Sequence, residues 1–78
     1  MATGHTVAQP GLQSGSWDPE TDLMKQYVVE RNDGHGWVAL LSFHTREVSG
    51  QVRDARSMND YTEGVRWRVW DQFKNETI

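Results

Sequence analysis

The stretch GVRWRVW, residues 64–70, places Arg66, Arg68 and Trp70 at alternate positions. Alternate residues of a β-strand share one face of the sheet. Guanidinium and indole groups held side by side can stack on one another, pair with carboxylates or phosphates, and anchor protein contacts. On an open sheet the same groups can stack unpaired bases. Val65, Trp67, Val69 and Phe73 have the other parity and read as a core face. Three uses therefore compete for the motif: a protein interface, a single-strand nucleic-acid platform, and a cation–π ladder that only covers its own sheet.

Other chemistry has weaker support. His5, His35 and His44 include no pair at the i, i+4 spacing of a helical metal site, so no metal or other cofactor is expected. His35, between two glycines in NDGHG, reads as a loop residue. Asp33-Gly34 reads as turn chemistry, not a phosphate cradle, because no helix follows it. Ser42, Ser49 and Ser57 lack a recognisable base with its own orienting group. Asp60 and Glu63 fall in an expected loop, where solvated carboxylates are ordinary. No enzymatic activity is expected.

Charge discriminates among the remaining uses. The 78 residues carry a net charge of −3, and residues 1–22 hold all of it in Asp18, Glu20 and Asp22. The rest of the chain balances eight basic against eight acidic side chains. A neutral body lacks the long-range field that phosphate binding exploits, so a nucleic-acid partner is not expected. No apolar run is long enough to span a bilayer, and no basic region is followed by an apolar segment at the N-terminus. A soluble, cytoplasmic protein with no membrane partner is expected.

These residues need a scaffold, and the length allows one small domain. The apolar share is 36% and there is no cysteine, so a small core must persist without disulfides. Residues 1–22 read as a flexible acidic N-terminal arm, rich in Gly, Ser, Thr and Gln up to Ser16. Trp17 is out of place in a solvated tail and is a candidate anchor for a partner or for the domain itself. Asp18 or Thr21 is expected to cap a short helical turn.

Residues 23–78 read as the domain. QYVVERNDGHGWVALLSF predicts a hairpin with a loop of about four residues. Tyr27, Val29 and Arg31 share one face of its first strand. Its second strand is apolar on both faces, Trp37, Ala39, Leu41 and Phe43 against Val38 and Leu40. Such a strand is expected in a central position or at a subunit contact.

HTREVSGQVRDARSMND predicts a helix with Thr45 as N-cap, Glu47 in the first turn, and a core stripe of Val48, Val52, Ala55 and Met58. Arg46, Arg53, Asp54 and Arg56 fall off that stripe and read as its solvated face. Gly50 weakens the helix unless it allows close approach to the sheet. VRWRVWDQF predicts a returning strand, with a short helix as the alternative, and KNETI a frayed end. The expected fold is α+β: a ββαβ domain with a three-stranded antiparallel sheet and one helix packed on one face.

The order YVVERNDGHGWVAL, helix stripe, GVRWRVWD resembles small single-domain accessory proteins of bacteriophages, over residues 25–73. The resemblance implies a class, not individual functional residues: short cysteine-free proteins that bind and modulate or inhibit one host protein in the host cytoplasm, or serve as minor virion parts. The expected function is therefore a protein-binding module. Its contact would be Arg66, Arg68 and Trp70, extended by Trp17. A homodimer formed by strand addition is a further expectation. A virion decoration or connector subunit and a weak single-strand nucleic-acid binder are the alternatives.

Overall fold

The computed structural model describes residues 17–78. The arm reading of residues 1–22 therefore falls, for residues 1–16, outside the described residues. The elements are α1 (Pro19–Asp22), β1 (Tyr27–Asn32), β2 (Trp37–Phe43), α2 (Arg46–Asn59), β3 (Arg66–Asp71) and β4 (Glu76–Thr77). They form a small α+β fold with a four-stranded antiparallel sheet in the order β2-β1-β3-β4. Among the described residues no helix is long and apolar enough to cross a membrane.

The hairpin forms as the sequence dictates. Asn32 closes β1 and accepts hydrogen bonds through Oδ1 from the amides of Gly34 (2.7 Å) and Gly36 (3.3 Å). Both glycines adopt positive φ, 107° and 111°, where a side chain would be strained. Asp33 accepts from the amide of His35, which stays exposed in the loop.

The final segment is a strand, not a helix, and it inserts beside β1. Two departures follow. The sheet has four strands rather than three, because the expected frayed end pairs back on β3, Trp70 with Thr77 and Asp71 with Glu76. Asp71 makes that return: its Oδ1 accepts from the amides of Phe73 and Lys74, both 3.0 Å, and Asn75 takes φ 58°. A short polar side chain bonded to the backbone two or three residues on is a turn former, and Asn tolerates the left-handed region. Phe73, expected in the core, sits in this turn beyond the end of β3 and is 58% exposed.

The second departure is β2. It is an edge strand, not a central one, although it is apolar on both faces. Its parity also breaks. Leu41 lies opposite Val29, but Ala39 lies opposite Glu30, so Leu40 is an extra residue in a bulge. Trp37 and Ala39 thus share the face of Asn32 and Glu30, whereas Leu41 and Phe43 share the face of Val29 and Tyr27. The expected common face of these four residues does not exist.

Thr45 caps α2, with Oγ1 accepting from the amide of Val48 at 3.3 Å. The ion pair between Arg31 Nε and Asp60 Oδ2, 2.6 Å, ties the end of α2 to the face of Val29 and Val69, which are wholly buried opposite each other. The helix is rotated from expectation. Ser49 is fully buried, with Val52 and Arg53 half-buried beside it, whereas Val48, Ala55 and Met58 are exposed. Arg53 accordingly leaves the expected solvated face. Ser49 keeps its hydroxyl satisfied by donating to the Arg46 carbonyl at 2.8 Å, so a small polar residue can face the sheet without penalty.

Gly50 does not serve a close approach. A Cβ there would meet only Arg53 Nη2, at 4.0 Å. Gly50→Ala is therefore expected to stabilise the protein by about 0.5–1 kcal/mol, through helix propensity alone. Urea denaturation of the two proteins checks this.

Candidate functional site: a clamped arginine on the outer sheet face

The face away from α2 carries Val28, Glu30 and Asn32 of β1, paired across the ladder with Trp70, Arg68 and Arg66 of β3. Trp37, at the start of β2, pairs with Asn32. Arg66, Arg68 and Trp70 thus share a face, as strand parity requires, and Trp67 and Val69 take the other. Trp67 is half-buried and Val69 fully buried.

The arginines differ in setting. Arg66 is exposed, its guanidinium 5.5 Å from the Trp37 ring centroid. Arg68 lies between two indoles, 4.1 Å from Trp37 and 4.6 Å from Trp70. Its Nε donates to Glu30 Oε1 at 2.6 Å and its Nη1 to Thr77 Oγ1 at 3.3 Å. The side chain is only 14% exposed and that of Glu30 is fully buried. Arg68 is thus a clamped structural cation. Around it on this face Arg66 is exposed, and Trp37 and Trp70 are half-buried.

Glu30 pairs with the strand-centre cation, yet burial dominates its titration. Loss of water raises its pKa to about 7, against the opposing hydrogen bond and charge of Arg68. Glu30 Oε2 and Arg68 Nη2 are buried without a hydrogen-bond partner, so the contact is single, not the bidentate fork that Arg favours. Sequence reasoning missed Glu30 and Trp37. Trp37 is out of reach because it meets the β3 arginines only through the sheet order, which puts β1 between β2 and β3. Glu30 left one signal, a charge in the middle of the apolar run YVVER.

Trp17 is half-buried, just before Asp18, which caps α1 by accepting from the amide of Glu20 at 3.0 Å. Asp22 is buried and accepts a hydrogen bond from the Ser42 hydroxyl on β2. Gln72 Nε2 donates to the carbonyls of Asp22 and Lys25. These bonds hold the segment from α1 to β1 against the same face as the clamp, because Ser42 and Val28 pair across it. Nothing given by these bonds brings Trp17 to Arg66.

Two of the residues weighed for chemistry, Asp60 and Asp33, have structural partners, whereas Glu63 is exposed. Asp60 accepts from Arg31 and, at 3.1 Å, from the Thr62 hydroxyl. The Arg31 hydrogen bond chiefly holds its pKa below the usual carboxylate range. Asp33 is held low mainly by its bond to the exposed His35 ring. Among the described residues no group of three or more His, Asp or Glu side chains is placed to hold a metal ion.

Fold and site together define a small α+β protein whose outer sheet face is closed by an arginine stacked between tryptophans. No family model, curated protein or solved structure matches the chain.

Proposed function

We propose that this chain is a non-enzymatic protein-binding module, and that the sheet face bearing Trp37, Arg66 and Trp70 is its contact. The supporting observation is the clamp. Glu30 and the two indoles fix Arg68, so the surrounding aromatic surface is ordered before any partner arrives. Pre-ordering lowers the entropy lost on association, and Trp and Arg are the residue types that dominate interface energetics. Arg66 beside Trp37 suits a carboxylate flanked by an apolar side chain on the partner. The likeness to phage accessory proteins adds that the partner is a host protein, bound so as to modulate or inhibit it.

The test is affinity capture from bacterial lysate with nuclease added, comparing wild type with Arg66→Ala. Arg66 is chosen because it is exposed and its loss leaves the clamp intact. One stoichiometric protein, bound about tenfold or more weakly by the variant, is expected. Signal seen only without nuclease would replace this reading with nucleic-acid binding. Capture of nothing, with the chain present in purified particles, would replace it with a virion part.

A further inference from the structure

The two edges of the sheet are unlike. β4 covers one with two residues, a length that blunts strand addition. The other edge is β2: seven residues, WVALLSF, with no charge and no proline. Among the described residues no strand pairs with its outer side. Natural edges usually carry a charge, a proline or a cover; among the described residues β2 has its bulge and, at Ser42, the hydrogen bond to Asp22 of α1.

The core is also meagre. Among the described residues the fully buried apolar side chains are Val28, Val29, Ala39 and Val69. Trp37, Val38, Leu40, Leu41 and Phe43, all on β2, remain half-buried. Small domains with so little buried apolar surface are ordinarily reinforced by disulfides, a metal or oligomerisation. This chain has no cysteine.

From this we infer that two copies of the chain pair β2 against β2 in antiparallel fashion, joining their sheets into one of eight strands. The occupant is a second copy because the deficit belongs to the resting fold and must be met whether or not another partner is present. An antiparallel strand is also its own complement about a two-fold axis, and that interface closes. β2 brings no like charges together.

The bulge fixes the register. Opposed residues of an antiparallel pair point to the same face. Centring the two-fold on Leu40 would set Trp37 against Phe43 and Val38 against Ser42, which lie on opposite faces. A shift of one residue repairs this. With the axis between Ala39 and Leu40, Trp37 meets Ser42 and Val38 meets Leu41. With the axis between Leu40 and Leu41, Val38 meets Phe43 and Ala39 meets Ser42. Either way both Leu40 side chains lie beside the axis. The pairing uses the backbone edge of β2 and shares only Trp37 with the proposed outer-face contact.

Sedimentation equilibrium of the full chain tests it. Wild type is expected at twice the 9.0 kDa chain mass. Leu40→Lys and Leu40→Glu, each alone, are expected to raise the dimer dissociation constant by about tenfold or more, through like charges beside the axis. An equimolar mixture of the two is expected to return to the doubled mass. That arm separates a lost interface from a misfolded chain, since misfolded chains would not recombine into a defined heterodimer. Wild type at the monomer mass up to millimolar concentration would overturn the inference. So would a wild-type dimer that both charged variants retain undiminished.

Discussion

Arg68→Ala is expected to destabilise the protein by about 3–5 kcal/mol at pH 8, the usual cost of removing one partner from a buried ion pair. Glu30 is fully buried, and among the described residues its carboxylate accepts from Arg68 Nε at 2.6 Å while Oε2 has no hydrogen-bond partner. Without Arg68 the carboxylate must stay charged in an apolar site or take up a proton. Two cation–π contacts and the bond to Thr77 also disappear. A chain of this length has a total stability of about 4–12 kcal/mol, so much of the fold is at stake.

Urea denaturation measures the loss. Two controls locate its cause. Arg66→Ala, at an exposed position on the same face, is expected to change stability by less than about 0.5 kcal/mol. Replacing Glu30 and Arg68 together by methionine is expected to recover most of the loss, because no charge is then left buried. A loss below about 1 kcal/mol for Arg68→Ala would mean that Glu30 reaches water in solution.

The second large effect is in pH. The pKa of Glu30 rises from 4.5 to about 7 on folding, because burial outweighs the attraction of Arg68. A folded-state pKa above the unfolded one means that the native protein binds the proton more tightly. The associated stabilisation is complete below about pH 4.5 and is lost as pH rises through about 7. The shift corresponds to an upper bound of about 3 kcal/mol. Wild type is therefore expected to be more stable at pH 5 than at pH 8 by about 1–3 kcal/mol.

The two aspartates with shifted pKa values do not obscure this window. Asp33 and Asp60 have pKa values lowered by their partners, so their contributions fade only at more acidic pH. Glu30→Gln removes this titrating group, and its stability is expected to fall less than that of wild type across the same range. Urea midpoints for both proteins at several pH values decide the matter. An equal slope in the two proteins would assign the pH dependence to another residue.

Much of the fold is legible in local signals. Strand alternation in VRWRVW separates Trp67 and Val69 from Arg66, Arg68 and Trp70. NDGHG specifies a four-residue loop through Asn32 and two positive-φ glycines. Thr45 announces the helix start. What sequence leaves hidden depends on long-range pairing. A single extra residue, Leu40, reverses the parity of half of β2, and nothing in WVALLSF marks where a bulge falls. The helix stripe misleads for a related reason. Ser49 satisfies its own hydroxyl and can face the sheet, so apolar periodicity alone picks the wrong side.

The candidate site divides along the same line. Its three expected residues on β3 were set by local parity. Glu30 and Trp37 come from strands that reach β3 only through the sheet order. Their roles depend on which strand lies between which. That order also changes the role of Arg68 from a surface cation to the partner of a buried acid.

The placement of Glu30 on β1 also bears on how the chain folds. β1 meets β2 across a short loop but meets β3 only after the chain has passed through α2. Closing the short loop costs less conformational entropy, so the hairpin is the natural early structure. A hairpin formed before β3 would leave Glu30 without Arg68 and open to water. Glu30 leaves water only when β3 docks. Acid that neutralises Glu30 should therefore speed the docking step, and the barrier to assembling this sheet would lie in drying one carboxylate rather than in finding the hairpin.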